Sequence, residues 1–392
     1  MKDKRLWIIF LIIFINMMGF GIILPLLPYY VESLGAGPVT IGLLMAAYSL
    51  FQLFSAPILG ELSDKFGRRP ILLFSIGGTA VSFALMGLAK SIPLLFFARI
   101  IDGASGGNIS TAQAYIADIT TKENRTQGMG VMMAGMSLGM ILGPAIGGLL
   151  SRFGYSAPAY AAGFVALIAT VLTYFYLPES LNQNIVREVK KRRKFFSLGD
   201  FRDALTHPDI GLYLTISFVV MFAFSLLQGT FALFTEHALH LTVESNGYIF
   251  AYLGFIGITM QLFFLKRILK IIPENKIIVP TILLLAVAMA LIAFSQNLFS
   301  LFVAITVFAF TNSISGPVLA GLISKNTPDS EQGNIAGMNQ SIGGVARLIG
   351  PVLGTSVYGI VGMKAPYLLS VIILTLTAIF SAGKLSAAKR NS

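Results

Sequence analysis

The sequence contains no cysteine, which excludes disulfides and thiolate metal sites. Charge is scarce as well: 11% of the residues are Asp, Glu, Lys or Arg, against about a quarter in a soluble domain. No glycine-rich phosphate loop or nucleotide fold is visible, so ATP is excluded as an energy source and no enzymatic centre is expected. Histidine is rare, and the pattern His237-x-x-His240 beside Glu236 is too weak to carry a metal; no metal and no other cofactor is expected. The first apolar run is followed by no small-residue cleavage site. Met1 to Tyr30 therefore reads as a retained span and not as a removed signal.

What the chain has in excess is apolar surface, with 55% hydrophobic residues. Twelve apolar runs read out near 6–31, 41–60, 70–89, 93–118, 128–150, 156–177, 208–235, 245–265, 277–294, 298–323, 334–360 and 365–385. Runs of this length cross about 30 Å of hydrocarbon as helices rising about 1.5 Å per residue. The formal charge of +11 could suggest nucleic acid, but its placement argues otherwise. Lys65, Arg68, Arg69, the run Arg187 to Lys194, and Lys266 to Lys270 fall on one side of the spans, whereas the other side keeps only Lys90, Arg152 and Lys364. This is the positive-inside asymmetry of a multi-pass membrane protein with both termini in the cytoplasm. The expected location is the cell (inner or plasma) membrane. The expected partners are lipids, protons and a small, amphipathic substrate, with no nucleic acid; a monomer is expected.

The fold class that follows is an all-α membrane protein with twelve transmembrane helices in two pseudo-symmetric six-helix bundles. The expected divisions are 1–178, a basic linker at 179–207, and 208–392. The linker's basic run suits anionic lipid head groups. The halves look like copies. Gly143-Pro144-Ala-Ile-Gly-Gly148 in span five recurs as Gly350-Pro351-Val-Leu-Gly354 in span eleven, and each span opens with a Gln-Gly pair, Gln127-Gly128 and Gln332-Gly333. Related halves with a ligand site between them near mid-membrane are a known transporter plan.

Between spans two and three lies a charged stretch, Gly60-Glu-Leu-Ser-Asp64-Lys-Phe-Gly67-Arg68-Arg69-Pro70. Gly60 and Gly67 are expected to allow close approach or positive φ, and Pro70 suits the first turn of the next helix. This stretch is not cleanly repeated: Phe264 to Lys270, after span eight, keeps the positive charge but lacks the Gly and Asp. In span four Arg99 and Asp102 share a helical face. Asp102 lies roughly 14 Å deep by the helical rise. Ionisable groups there cost at least about 2.5–3.5 kcal/mol each, so they face a cavity or each other. They read either as a structural ion pair or as a proton-linked site. Span five carries Gly135, Gly139, Gly143, Pro144, Gly147 and Gly148. Glycine at every fourth position lets another helix approach closely, and proline frees a carbonyl and can bend the helix. Glu32, after span one, is either a second proton carrier or a solvated acid at the outer helix end. Asn16, Tyr29, Gln52, Asn108 and Gln113 in the first half are candidate cavity residues. So are Gln228, Phe231, Phe234, Glu236, Asn312, Asn339 and Arg347 in the second. Arg347 can hold a substrate anion or pin a helix.

The stretch G-x-L-S-D-x-x-G-R-R resembles the signature loop of the major facilitator superfamily. That resemblance implies a cytoplasmic gate at Gly60, Asp64, Gly67, Arg68 and Arg69, joined by Asp118 at the end of span four. The sequence R-I-I-D-G-A-S-G-G from Arg99 resembles the family's fourth-helix signature, which implies a part in proton coupling. The motif G-x-x-x-G-P-x-x-G-G from Gly139 resembles that of the family's exporters. Span one, N-M-M-G-F-G-I-I-L-P-L-L-P from Asn16, resembles the first helix of tetracycline-type exporters. Those exporters have acids where Asn16 and Ser82 stand, so the departure moves the expected proton carrier to Asp102 or Glu32. The resemblance implies a proton-coupled multidrug or small-molecule antiporter working by alternating access and driven by the proton gradient. Export of an endogenous metabolite, siderophore or lipid is an alternative reading, and a non-transporting receptor or scaffold is a third.

Overall fold

Hydrocarbon offers backbone amides no partner, so a chain this apolar must satisfy them within each segment, and helices do so. The computed structural model describes residues 4–121, 124–181, 206–207, 210–328 and 331–390; the basic run Arg187 to Lys194 lies outside them. Among the described residues there is no strand. The first helices are α1 (Lys4–Ser33), α2 (Pro38–Phe66), α3 (Arg68–Leu88), α4 (Ile92–Ala104), α5 (Asn108–Ile119), α6 (Arg125–Leu150) and α7 (Ser156–Tyr176). They are followed by α8 (Gly211–Leu239), α9 (Val243–Thr259), α10 (Leu265–Ile271), α11 (Glu274–Ala293), α12 (Leu298–Lys325), α13 (Gln332–Val361) and α14 (Ala365–Arg390). A π-helical turn, Met260–Phe264, joins α9 to α10 as one span.

Eleven helices among the described residues are long and apolar enough to cross a membrane. The expected span at 93–118 is instead two shorter helices, α4 and α5, broken at Ser105 to Gly107. Glycine is the poorest helix former after proline, and three of the five residues from 103 to 107 are glycine, Gly103, Gly106 and Gly107. A Cβ on Gly103 would fall 2.4 Å from the carbonyl oxygen of Tyr48, and one on Gly107 would fall 2.5 Å from Leu59 Cβ. At the break the Ser105 carbonyl accepts from the Gly107 N–H at 2.8 Å and from the Ser75 hydroxyl of α3.

A second correction concerns the stretch from Gly60 to Pro70. It is not a turn throughout, because α2 continues to Phe66 and only Gly67 leaves the helix, with φ 108°. No side chain or backbone lies within 4 Å of where a Gly60 Cβ would stand, so the close approach or positive φ expected there is absent. Gly67, by contrast, needs both.

By its contacts the chain divides into two units, Met1–Phe195 with Leu241–Tyr252, and Phe196–His240 with Leu253–Ser392. In the first, α1 packs along α6, α3 along α7 and α2 along α4. Its core runs through Ile9, Ile12, Ile13, Leu72, Ile76, Tyr115 and Ile116. In the second, α8 packs along α13, and α11 lies between α12 and α14. The two glycine-proline motifs do the same work in each unit. A Cβ on Gly139 or Gly143 of α6 would meet the α1 backbone at 2.5 and 2.4 Å; on α13 a Cβ on Gly350 would meet Ser225 Cβ of α8 at 2.5 Å, and one on Gly354 the Leu226 carbonyl oxygen at 3.1 Å.

Candidate functional site

The charged loop of the first unit is built around Arg68. As the first residue of α3 it donates from its side chain to Asp64 in the last turn of α2. It also reaches Ser63 Oγ at 2.8 Å and, through Nε, Asp118 Oδ2 at 3.0 Å. The loop Asp, the first Arg and the acid at the end of α5 are thus in direct contact. The structure adds Glu179, which the sequence assigned to the linker. Its carboxylate accepts from the backbone N–H of Arg68 at 2.9 Å and of Arg69 at 3.0 Å, and also from Ser180 and Leu181. α3 has no side-chain cap of its own, so Glu179 meets two of the four N–H groups that every helix start leaves free. Gly67 is required beside it, since a Cβ there would fall 2.5 Å from the Glu179 carboxylate. Ser180 Oγ donates to Asp118 at 3.1 Å, and Arg69 lies over the Tyr174 ring.

Within the helices of the same unit, Arg99 and Asp102 on α4 are bonded at 3.0 Å and are 2% and 7% exposed. The guanidinium lies 4.3 Å from the centre of the Tyr48 ring, a cation–π contact strengthened by the burial of Arg99. Tyr48 is held in turn by Gln52, whose amide donates to its hydroxyl at 2.8 Å. Arg99 Nε, and Asn108 Nδ2 at the start of α5, are buried with no hydrogen-bond partner among the described residues. These are donors free to take a water or a substrate oxygen. Gln113, also on α5, is exposed, and Asn16 on α1 is half-buried. Ser82, where tetracycline-type exporters have an acid, donates to Ala98 O at 2.8 Å and so ties α3 to α4.

At the opposite end of α6 the glycine face continues onto a different neighbour. Gly135, Gly139, Gly143 and Gly147 face α1, but Gly148 faces the α9 backbone at Glu244 and Gly247, and the Pro144 carbonyl points at Gly247. Two side chains, Arg152 and Tyr29, fasten this corner. Arg152 grips the Glu244 carboxylate with two N–H groups, one at 2.7 Å. Tyr29 donates to Leu241 O at 2.6 Å and accepts from Asn246 Nδ2 at 2.7 Å. Tyr29, expected to line the cavity, is therefore engaged with the start of α9. Glu32 occupies the last turn of α1.

Family membership is decided by sequence comparison over the whole chain. The profile of the Major Facilitator Superfamily matches residues 9–290 and 262–391. The chain belongs to the major facilitator superfamily. It is a multi-pass membrane protein of a transporter family. It is 29% identical over 401 residues to multidrug resistance protein 2 of Bacillus subtilis, covering 100% of this chain and 98% of the relative. It is 30% identical over 359 residues to the class E tetracycline resistance protein of Escherichia coli, covering 91% and 88%. The crystal structure of the human organic anion transporter TETRAN superposes with a TM-score of 0.69 at 24% identity, over 96% of this chain and 98% of that one. This last likeness concerns the fold.

In the second unit of this superfamily member, Phe231 and Phe234 are 1% exposed, and Phe234 meets Tyr367 edge-on at 5.1 Å, so both are interior packing. Gln228 is buried on the same helix, and Glu236 lies half-buried in its last turn. His237 Nδ1 lies 2.8 Å from the Tyr358 hydroxyl, a bond that uses the histidine within the protein. Asn339 accepts from Ser217 at 2.8 Å. Asn312 and Arg347 are half-buried on α12 and α13, with Arg347 one turn from Gly343. Sequence reasoning missed Tyr48, Glu179, Glu244 and Asn246. The available signals were the i, i+4 pair Tyr48–Gln52 and an uncapped helix opening on two arginines.

Proposed function

We propose that this chain exports small amphipathic molecules, drugs among them, in exchange for protons, by alternating access in the cell membrane with both termini in the cytoplasm. Residues 1–178 and 208–392 serve as its two halves, and Asp64, Arg68 and Asp118 as its cytoplasmic gate. The observation that carries the reading is the buried pair Arg99–Asp102. A scaffold has little reason to keep two ionisable groups at 2% and 7% exposure in a membrane helix. An antiporter has one, because taking or losing a proton changes the charge that each conformation must bury. Asp102 is the proton carrier in this reading, Arg99 its modulator and Glu32 an accessory acid. The exporter direction is supported by the glycine-proline motif of α6 and by the multidrug and tetracycline resistance proteins among the relatives.

The test is accumulation of ethidium and tetracycline in cells with and without the chain, with and without a proton uncoupler. Lower accumulation that the uncoupler abolishes is the expected result. Uncoupler-insensitive accumulation, equal with and without the chain, would remove the reading. Arg347 favours one second possibility, an anionic metabolite as cargo, which competition by organic anions would reveal.

A further inference from the structure

By residue type, the second half has no counterpart of the Gly60 to Pro70 stretch. Its helix ends nevertheless carry the same bond with the signs exchanged. In the first unit a cation, Arg68, opens α3 and is bound by an acid, Asp118, in the last turn of α5. In the second an acid, Glu274, opens α11 and accepts from a cation, Lys325, the last residue of α12, at 2.7 Å. The two bonds fall in register. Asp118 and Lys325 are as far apart in sequence as Gly143 and Gly350, and the interval from Arg68 to Glu274 differs by one residue. Chance pairing of surface charges gives no reason for such agreement.

The surroundings are built to match. A Cβ on Gly321, one turn before Lys325, would stand 3.5 Å from the Glu274 carboxylate, in ordinary van der Waals contact. Gln332, which opens α13, donates to the carbonyls of Ser324 at 2.7 Å and Thr327 at 2.8 Å, and accepts from Ser324 Oγ at 3.0 Å. The end of α12 is thereby held to α11 by the ion pair and to α13 by the glutamine. Arg68 likewise gathers α2, α3 and α5 in the first unit.

The exchange of signs has a physical logic. Helix N-termini favour anions and C-termini favour cations. Glu274 and Lys325 lie with their helix dipoles, whereas Arg68 and Asp118 lie against theirs. The first unit makes good the deficit at α3 by bringing in Glu179; in the second, the acid that forms the bond is already at the helix start.

We propose that Glu274 and Lys325 are positioning residues for transport, a latch of reversed polarity that sets the ends of α11, α12 and α13 as the Arg68 cluster sets those of α2, α3 and α5. The proposal rests on the exporter reading above. Lys325 is largely exposed and Glu274 only partly so, which makes the bond weak enough to open and close within a transport cycle.

The test uses the full-length chain in proteoliposomes with an imposed proton gradient and ethidium as probe. Glu274→Gln and Lys325→Gln are each expected to lower the maximal rate about two- to fivefold, as loss of an exposed pair implies, with the half-saturating ethidium concentration unchanged. The double exchange, Glu274→Lys with Lys325→Glu, is expected to recover much of that loss, short of all because its charges then oppose the dipoles. Single variants at the wild-type rate, or a double variant no better than the singles, would overturn the proposal. Hydrogen–deuterium exchange of the purified chain gives a readout independent of any substrate. Both single variants are expected to speed amide exchange in the first turn of α11 and the last turn of α12, and the double variant to slow it again. Unchanged exchange overturns the latch. A wild-type chain that moves no ethidium counts against the exporter reading, and the exchange measurement still decides for or against the latch.

Discussion

Adding one methyl group to α6 measures how closely its glycine face is fitted to α1. A Cβ on Gly143 would fall 2.4 Å from the Met18 carbonyl oxygen and 3.1 Å from Gly21 Cα. Carbon–oxygen contacts of this kind settle at about 3.3–3.6 Å, so the two backbones would have to part by about 1 Å. Neither contact is a flexible side chain that could swing aside. Overpacking of this sort costs about 1–3 kcal/mol. Alanine also gains roughly 0.8–1.0 kcal/mol over glycine in a helix interior, which partly masks the cost. Gly130 supplies the control, because it lies on the same helix with nothing within 4 Å of its Cβ position. The propensity gain is common to both sites and cancels between them. The difference between Gly143→Ala and Gly130→Ala is therefore the overpacking cost itself, about 1–3 kcal/mol. Thermal unfolding of the two purified variants is the assay. Gly143→Ala is expected to melt below the wild type and to transport poorly, and Gly130→Ala to melt at or above it and transport normally. Equal melting temperatures for the two alanines would refute the claim that this face is a backbone-to-backbone contact.

Three further outcomes follow from the site. Asp102→Asn is expected to abolish gradient-driven efflux while sparing substrate exchange without a gradient, and Glu32→Gln to spare both; the opposite pattern transfers the carrier role to Glu32. Tyr48→Phe keeps the ring beneath Arg99 and is expected to behave as wild type, whereas Tyr48→Ala forfeits a contact of about 0.5–2 kcal/mol and lowers the melting temperature. Equal behaviour of the two Tyr48 variants would show that the ring contributes nothing. Glu179→Gln leaves one uncharged oxygen where a carboxylate served four backbone N–H groups, so transport and melting temperature are both expected to fall. Wild-type values for both would reduce Glu179 to a surface acid.

The helices were legible because apolar length is a one-dimensional property, written directly in the sequence. Eleven of the twelve expected spans are long apolar helical segments with ends shifted by a few residues, and the twelfth, at 93–118, is filled by α4 and α5 together. The break between α4 and α5 falls on Gly103, Gly106 and Gly107, weak helix formers whose signal was outweighed by the length of the apolar run. Gly60 shows the converse: a glycine expected to allow close approach or positive φ does neither, and the residues from Glu61 to Phe66 contain nothing to stop a helix. The Asp64–Arg68–Asp118 contact was reached through family resemblance and not through spacing, because its members come from three helices. Glu179 was hidden for a related reason. Polar composition after Pro178 speaks of solvent, and only the placement of the α7 end beside α3 turns that acid into a cap.

The Glu274–Lys325 bond shows what comparison by residue type leaves out. Coulomb energy is unchanged when the two partners exchange places, so an ion pair can be repeated in function with neither residue repeated in kind. A search of the second half for another Asp and Arg therefore fails, while the register set by Gly143 and Gly350 points to the correct positions. What does distinguish the two polarities is the fixed field of the helices, which favours Glu274 and Lys325 where they stand and opposes Arg68 and Asp118. An opposed pair needs outside help to sit at a helix start, and Glu179 is that help. On this account removing Glu179 weakens the first latch, while the second, whose charges already agree with its helices, has no comparable dependence on a third residue.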